Sequence, residues 1–182
     1  MERNTIDEKT YIVGYHTQEF RPDCEPLSEP VKCLKKNAWI GIGYYFWTEL
    51  DFAKYWGEDS KMNKSGYYDI YKADLDCENC INAVFDEEGY FFFKEKIEET
   101  INHFKTKGLD VTLEQINRFL ADNIWEELGV EGIVYDDKPT NPRKSDRIYS
   151  EIPNLYYRKR IQIVLFSSQN IHNFKPFLEQ QA

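Results

Sequence analysis

The sequence lacks any long apolar run, and it carries little positive charge. No stretch of about 20 apolar residues occurs, so we expect no membrane-spanning helix. The opening segment, MERNTIDEKT, is polar and lacks the apolar region of a secretion signal, which predicts a cytoplasmic protein. A net charge of -9 excludes a large non-specific surface for nucleic-acid phosphates, although it leaves a local site open.

Cysteine is also scarce, with four residues in the chain: Cys24, Cys33, Cys77 and Cys80. Without a secretion signal, these are expected to be reduced thiols. Cys77 and Cys80 form a Cys-x-x-Cys pair, but a structural zinc ion needs two further ligands that the spacing of the other cysteines and histidines does not offer. We therefore predict no metal site, and we expect the pair to pack at the end of a strand.

Aromatic residues, by contrast, are abundant at 16% of the chain, and 13 tyrosines dominate them. Tyrosine combines an apolar ring with a polar hydroxyl, so it suits the wall of a cleft as well as a core. A length of 182 residues fits one domain with a real core. We therefore expect a single domain over residues 1–182.

Hydrophobic patterning predicts an α+β fold. Short apolar runs predict strands at residues 10–16, 39–47, 67–75, 133–135 and 160–166, the last of them inside the sheet. Helical patterns are found at residues 91–104 and 112–128. This order contains few strand–helix–strand units, so it argues against a doubly wound sheet.

Local signals refine these predictions. Thr48 is expected to cap a short helix that Gly57 ends, and Thr112 with Gln115 fits a capping box. A short helix is also expected near residues 31–36. From Asn170 onward the chain is expected to leave the sheet.

Three segments combine residue types that suit a catalytic site: Gly14–Gln18 at a strand end, Gly41–Trp47 followed by a helix that carries Tyr55, and the strand Arg160–Phe166. Each segment alone is ordinary, and a histidine at a strand end is often structural. The two glycines do not form a dinucleotide fingerprint, because Phe46 stands where the third glycine would open a helix. The order and spacing of all three segments together are more specific.

Together the segments resemble the ADP-ribosyltransferase superfamily in its histidine–tyrosine–glutamate branch, which includes diphtheria toxin and the poly(ADP-ribose) polymerases. Tyr15-His16-Thr17 resembles the branch's Tyr-His-Gly strand end, and the run from Gly41 to Phe46 resembles its Gly-x-Gly-x-Tyr-Phe motif. Gln162 stands at the position of the catalytic glutamate in the late strand. Uncharacterised bacterial members of the superfamily carry similar motifs.

The resemblance implies a split β-sheet core with flanking helices and NAD as the co-substrate, with no metal. His16, Tyr45 and Gln162 are the implied catalytic residues. Thr17 would offer its backbone to the nicotinamide carboxamide, and Tyr45 and Tyr55 would sandwich the ring. His16 and Gln162 would bind ribose hydroxyls.

Gln162 carries no charge, and the family's glutamate helps to stabilise a cationic transition state. This difference argues against polymer synthesis and implies mono-ADP-ribosylation, with a carboxylate from elsewhere in the chain or from the substrate. Glu131, Asp136, Asp137 and Glu151 precede the strand and are the candidate carboxylates.

The expected function is NAD-dependent transfer of ADP-ribose to a macromolecule, protein or nucleic acid, that the basic loop at residues 136–154 would bind. Such an enzyme would suit a bacterial toxin or a phage-defence effector, restrained by an antitoxin or immunity protein. Three alternatives remain: an NAD- or ADP-ribose-binding module without catalysis, an NAD glycohydrolase, and an interaction domain whose aromatic residues all belong to the core.

Overall fold

The computed structural model describes residues 1–62, 66–138, 147–149, 151 and 156–181. Its strands are β1 (Arg3–Ile6), β2 (Lys9–Glu19), β3 (Tyr44–Trp47), β4 (Tyr68–Leu75), β5 (Cys80–Asn82), β6 (Gly132–Asp136), β7 (Ile161–Leu165) and β8 (Ile171–Gln181). Its α-helices are α1 (Leu50–Ser60), α2 (Glu87–Thr106) and α3 (Leu113–Leu120), and a wider turn at Ala121–Trp125 extends α3. The mixed α+β class predicted from the sequence is confirmed.

The described strands form an 8-stranded sheet in the order β5-β6-β7-β3-β2-β4-β8, with β1 attached to β2. Only β5 and β6 run parallel among these pairs. The prediction that β7 lies inside the sheet is confirmed, since β6 and β3 flank it. An open, mostly antiparallel sheet of this kind differs from a doubly wound fold, as the element order predicts.

The sheet is narrow at its centre. Among the described residues, β2 and β3 share a single residue pair, Tyr15 with Trp47. On one side of this link lie β3, β7, β6 and β5, and on the other lie β2, β4 and β8. One apolar cluster nevertheless contains Leu75 from β4 together with Phe46 and Ile163 from the other half. The two halves therefore share a core across a connection only one residue pair wide.

The helices cover the other face of each half. Helix α1 places Phe52 and Ala53 in a cluster with Trp47 and Ile70. Helices α2 and α3 cover β6 and β7 through a third cluster that includes Leu120. Tyr15 and Trp47 belong to the α1 face, so each strand sends alternate side chains into different cores.

The structure corrects several local predictions. Thr48 does not cap α1; its hydroxyl donates to the carbonyl oxygen of Ile161 at 3.3 Å, and Glu49 is the N-terminal cap residue. Gly57 lies within α1, where a side chain would collide with the Tyr68 ring. The capping box of Thr112 and Gln115 is confirmed.

Other predicted segments also differ. Residues 31–36 form no helix, and Cys33 instead bridges to Gly43. The strand predicted at residues 39–47 begins only at Tyr44. The chain does not leave the sheet after Asn170, because β8 returns to pair with β4 at the edge. This pairing contains register shifts, and Pro176 lies opposite Tyr71.

Within the part of the chain that the structure describes, no helix has both the length and the apolarity to cross a membrane. Residues 139–146, 150 and 152–154 of the predicted target-binding loop lie outside the described residues.

Trp47→Ala should destabilise the fold strongly, because Trp47 is 2% exposed and forms the link between the two halves. We expect a loss of about 3–5 kcal/mol in the free energy of unfolding, measured by urea denaturation. Trp56→Ala is the matched control, since Trp56 is 40% exposed, and it should cost much less. Equal losses for the two variants would contradict the role given to Trp47.

Candidate functional site

The Gly-x-Gly segment forms a tight turn ahead of β3. Gly41 adopts a φ of +87°, a conformation that favours glycine, and its carbonyl accepts the Tyr45 hydroxyl at 2.6 Å. A side chain at Gly43 would meet Val164 of β7 at 2.5 Å. The backbone conformation at Gly41 and the close packing at Gly43 therefore explain why both positions are glycine. The Tyr45 hydroxyl also accepts the Ile40 N–H at 3.3 Å, so this tyrosine fastens the turn.

His16 lies on β2 and faces the core shared by the two halves. Its ring packs against Phe46 and Phe174, with centroid distances of 5.5 and 6.1 Å. Its Nδ1 donates to the carbonyl oxygen of Tyr45 at 2.9 Å, which fixes the tautomer and leaves Nε2 as an acceptor. This buried Nε2 has no hydrogen-bond partner among the described residues.

Burial lowers the pKa of His16 from 6.5 to about 4, and the positive charge of Lys61 acts in the same direction. The hydrogen bond to Tyr45 opposes this shift but does not overcome it. His16 is therefore a neutral imidazole at physiological pH, able to accept a hydrogen bond but not to supply a positive charge.

Thr17 and Tyr55 lie on the opposite face of β2 from His16. The Thr17 hydroxyl donates to the carbonyl oxygen of Ala53 at 2.8 Å, which ties β2 to α1. Tyr55 packs against the α1 cluster, with its ring 6.1 Å from that of Phe52. Tyr45 instead packs in the cluster under α2 and α3. The two tyrosines of the expected sandwich thus belong to different cores.

Gln162 lies on β7, directly between β3 and β6. It pairs in register with Trp47 on one side and with Tyr135 on the other. The Tyr135 hydroxyl donates to Oε1 of Gln162 in a short, buried hydrogen bond. The amide oxygen is therefore engaged, and the NH₂ group is the end of Gln162 left to bind a ligand.

Asp137 follows this site at the end of β6. Its carboxylate pairs with Arg160 at 3.3 Å, and the two side chains are only 19% and 13% exposed. Burial raises the pKa of Asp137, while the Arg160 charge opposes that rise. Burial also raises the pKa of Tyr135, and the charges of Tyr45 and Asp137 act in the same direction. Asp137 therefore lies close enough to Tyr135 to act on it electrostatically.

Two arginines cover this end of the sheet. The Arg160 guanidinium stacks over the rings of Trp47 and Phe52 at 5.3 and 5.6 Å. Arg158 lies 4.9 Å from the Phe52 centroid and pairs with Glu49 and Asp51. Together they form a layer of cations, rings and carboxylates over Trp47, the residue that pairs with Gln162.

The other candidate carboxylates lie in less suitable positions. Glu131 precedes β6 at the far end of the strand from Tyr135, where Asn79 donates to it at 3.1 Å. Asp136 accepts the backbone N–H of Arg160 at 3.2 Å. Glu151 is exposed and lies between segments outside the described residues. Among the four candidates, Asp137 is the one that acts electrostatically on Tyr135, the hydrogen-bond partner of Gln162.

The structure thus brings the three motif strands together but not all the predicted side chains. β2, β3 and β7 are consecutive in the sheet, and His16 contacts Tyr45 directly. Gln162 and Tyr45 share the face that α2 and α3 cover, whereas His16 faces the other way. His16, Thr17 and Gln162 are 6%, 5% and 9% exposed, so each is enclosed in this conformation.

A groove of about 750 Å³ is lined in part by Tyr135, the residue whose hydroxyl donates to Gln162. Tyr135 contributes to its wall, and Trp39, Phe85 and Tyr90 line it with exposed rings. Its volume falls within the range of small-molecule sites. The groove and Gln162 are therefore linked through a single tyrosine.

The cysteines are all free thiols, as expected, and Cys77 and Cys80 pack against the core shared by the two halves, next to and within β5. The described residues contain no cluster of three or more histidine, cysteine or acidic side chains placed to hold a metal ion.

Sequence analysis identified Asp137 as a candidate but missed Tyr135 and Arg160. The sequence signal for Tyr135 was its place in the apolar strand Gly132–Asp136, which ends at two carboxylates. Only the register of β6 against β7 places its hydroxyl on Gln162.

Comparison of the chain with protein-family models, curated proteins and solved structures found no match.

Protonation of His16 should make stability depend on pH. The folded chain resists the proton down to about pH 4, whereas the unfolded chain binds it near pH 6.5. The free energy of unfolding is therefore highest above about pH 7.5. It falls by about 2 kcal/mol as the pH drops from about 7.5 to about 5. Urea unfolding across this interval measures the loss.

His16→Gln keeps a donor for the Tyr45 carbonyl but cannot titrate in this range. Its stability should therefore fall less steeply with acid than that of the wild type. Parallel pH curves for the two proteins would show that His16 is not held neutral by burial.

Proposed function

We propose that this chain is an NAD-dependent mono-ADP-ribosyltransferase with an ADP-ribosyltransferase-like split sheet. The supporting observation is the convergence of the three motif strands, β2, β3 and β7, at the Tyr15–Trp47–Gln162 row in the centre of the sheet. Segments far apart in sequence meet where the two halves join. A junction between two half-sheets suits a split-sheet enzyme that binds its co-substrate at that place.

The reaction breaks the bond between C1′ of the nicotinamide ribose and the ring nitrogen, and the electron pair leaves with nicotinamide, which becomes neutral. A nucleophilic atom of the acceptor bonds to C1′ and loses its proton. The transition state carries positive charge near C1′, so the protein must orient the ribose and stabilise this charge.

Gln162 takes the orienting role in this proposal. Because Tyr135 holds its amide oxygen, the NH₂ group can donate to a ribose hydroxyl oxygen. Tyr135 is thus a positioning residue, since it acts on the ribose through Gln162. His16 acts from the opposite face by holding the Tyr45 carbonyl, and Tyr45 in turn fastens the turn at Gly41.

Asp137 supplies the negative charge that Gln162 lacks. Two unit charges about 4 Å apart interact by about 4 kcal/mol at the effective dielectric constant of a protein surface. The carboxylate is already enclosed and paired with Arg160, so water screens it poorly. For NAD to reach it, Arg160 must leave its stacked position over Trp47. Substrate binding is therefore coupled to movement of this side chain.

A binding module without catalysis is the second candidate. It is favoured by the neutral Gln162, whose oxygen is already occupied by Tyr135, and by the enclosure of His16 and Thr17. A bacterial toxin or phage-defence effector with an antitoxin partner remains the setting that we propose for the first candidate.

Incubation with labelled NAD separates these functions. Nicotinamide release together with ADP-ribose on protein or nucleic acid, detected by mass spectrometry of lysate, supports the transferase. Release without a modified acceptor indicates a glycohydrolase. NAD binding by calorimetry without release indicates the binding module, and the absence of both leaves only an interaction domain.

Gln162→Glu should raise the rate of nicotinamide release by about tenfold or more, because it adds a charge beside the developing cation while still accepting the Tyr135 hydroxyl. Gln162→Met is the matched control and should lower the rate. If both variants release nicotinamide at the wild-type rate, Gln162 does not contact the ribose.

Asp137→Asn should slow nicotinamide release by about tenfold or more, since it removes the charge and leaves the shape of the side chain nearly unchanged. Glu131→Gln serves as the comparison at the other end of β6 and should leave the rate unchanged. Equal rates for the two variants would remove Asp137 from the mechanism.

A further inference from the structure

The groove beside Tyr135 has a wall of exposed aromatic rings. Trp39, Phe85 and Tyr90 line it and are 64%, 57% and 49% exposed. They come from three separate segments: the turn before β3, the loop after β5 and the first turn of α2. Large exposed rings that converge on one cavity from distant parts of the chain suit a flat ligand between them.

Two lysines lie at the same groove. Lys138 and Lys159 line it and are exposed, and the Lys159 ammonium lies 5.4 Å from the centroid of the Phe85 ring. A base that stacks on Phe85 would therefore carry its phosphate close to a positive charge. Rings and cations in this arrangement match the two parts of a nucleotide.

Three acidic residues, Asp86, Glu87 and Asp136, also line the groove, and the backbone engages two of them. Asp86 accepts the N–H of Gly89 at 3.1 Å as the cap of α2, and Asp136 accepts the N–H of Arg160. The chain as a whole carries a charge of -9, so it repels a long polyanion elsewhere on its surface. Binding would thus depend on stacking in the groove and on few phosphate contacts.

We propose that this groove binds single-stranded nucleic acid, with one base among the rings of Trp39, Phe85 and Tyr90 and the flanking phosphates at Lys138 and Lys159. The bound strand is the acceptor, a role that rests on the proposed transfer of ADP-ribose. Tyr135 joins the groove to Gln162, so the acceptor base lies next to the site where the ribose is held. A protein acceptor is less well matched, because a peptide carries neither a row of phosphates nor an unstacked base.

The test uses fluorescein-labelled RNA and DNA oligonucleotides of about ten nucleotides, single-stranded and as duplexes, with the wild-type protein and no NAD. Fluorescence anisotropy should show binding of the single strands in preference to the duplexes, whose bases are already stacked. The logarithm of the affinity should fall with the logarithm of salt concentration with a slope of about -1.4, as expected for two phosphates.

Phe85→Ala should weaken binding by about fivefold or more, as for the loss of one stacking ring. The matched control is Phe177→Ala on β8, because Phe177 is 42% exposed and has the Lys72 ammonium 5.7 Å from its centroid. This control should bind like the wild type. Lys159→Ala should make the salt slope shallower by about 0.7.

Equal affinity of the Phe85→Ala and Phe177→Ala variants, or no binding of single strands, would overturn the proposal. ADP-ribose found on proteins but not on oligonucleotides would assign the acceptor to the other class and overturn it as well. Nicotinamide release without oligonucleotide binding refutes this inference alone. Oligonucleotide binding without NAD consumption refutes the transferase and leaves the groove as a nucleic-acid site.

Discussion

Trp47 makes two strand pairings at once, with Tyr15 on one side and Gln162 on the other. Because β2 and β3 share no other residue pair in the described structure, the register between the two halves of the sheet is set at this residue. Its ring also receives the Arg160 guanidinium, so the junction of the two halves and the cover over the candidate site are built on the same side chain. Stability and access to the site are consequently difficult to alter independently.

This arrangement explains why the candidate site is closed. The residues that carry the motif resemblance are also the residues that pack the junction, and a junction one pair wide has to be packed densely. His16 is enclosed by Phe46 and Phe174, and Thr17 is committed to α1. Open volume occurs instead beyond Tyr135, where α2 and α3 do not fully cover β6. Ligand chemistry at the junction therefore requires side-chain movement, whereas the groove is accessible as it stands.

The sequence predicted the central strands because they are apolar runs buried on both faces, as β7 shows. It did not predict β8, whose sequence IHNFKPFLEQQ alternates poorly and contains a proline. The predicted helix cap at Thr48 was wrong because the hydroxyl found a partner on Ile161, far away in sequence. Gln162 could be singled out from its motif, but its bond from Tyr135 depends on strand register, which local patterns do not specify.

The edge strand β8 also bears on how the protein behaves at high concentration. Among the described strands, β8 ends the sheet, and an edge of 11 residues is a template on which another chain can add and begin a fibril. Pro176 offers no N–H to such a chain, and the register shifts against β4 bend the strand away from a flat geometry. Replacement of this proline by a β-branched residue would restore an N–H donor and raise the β-propensity of that edge, on a protein whose net charge of -9 opposes self-association.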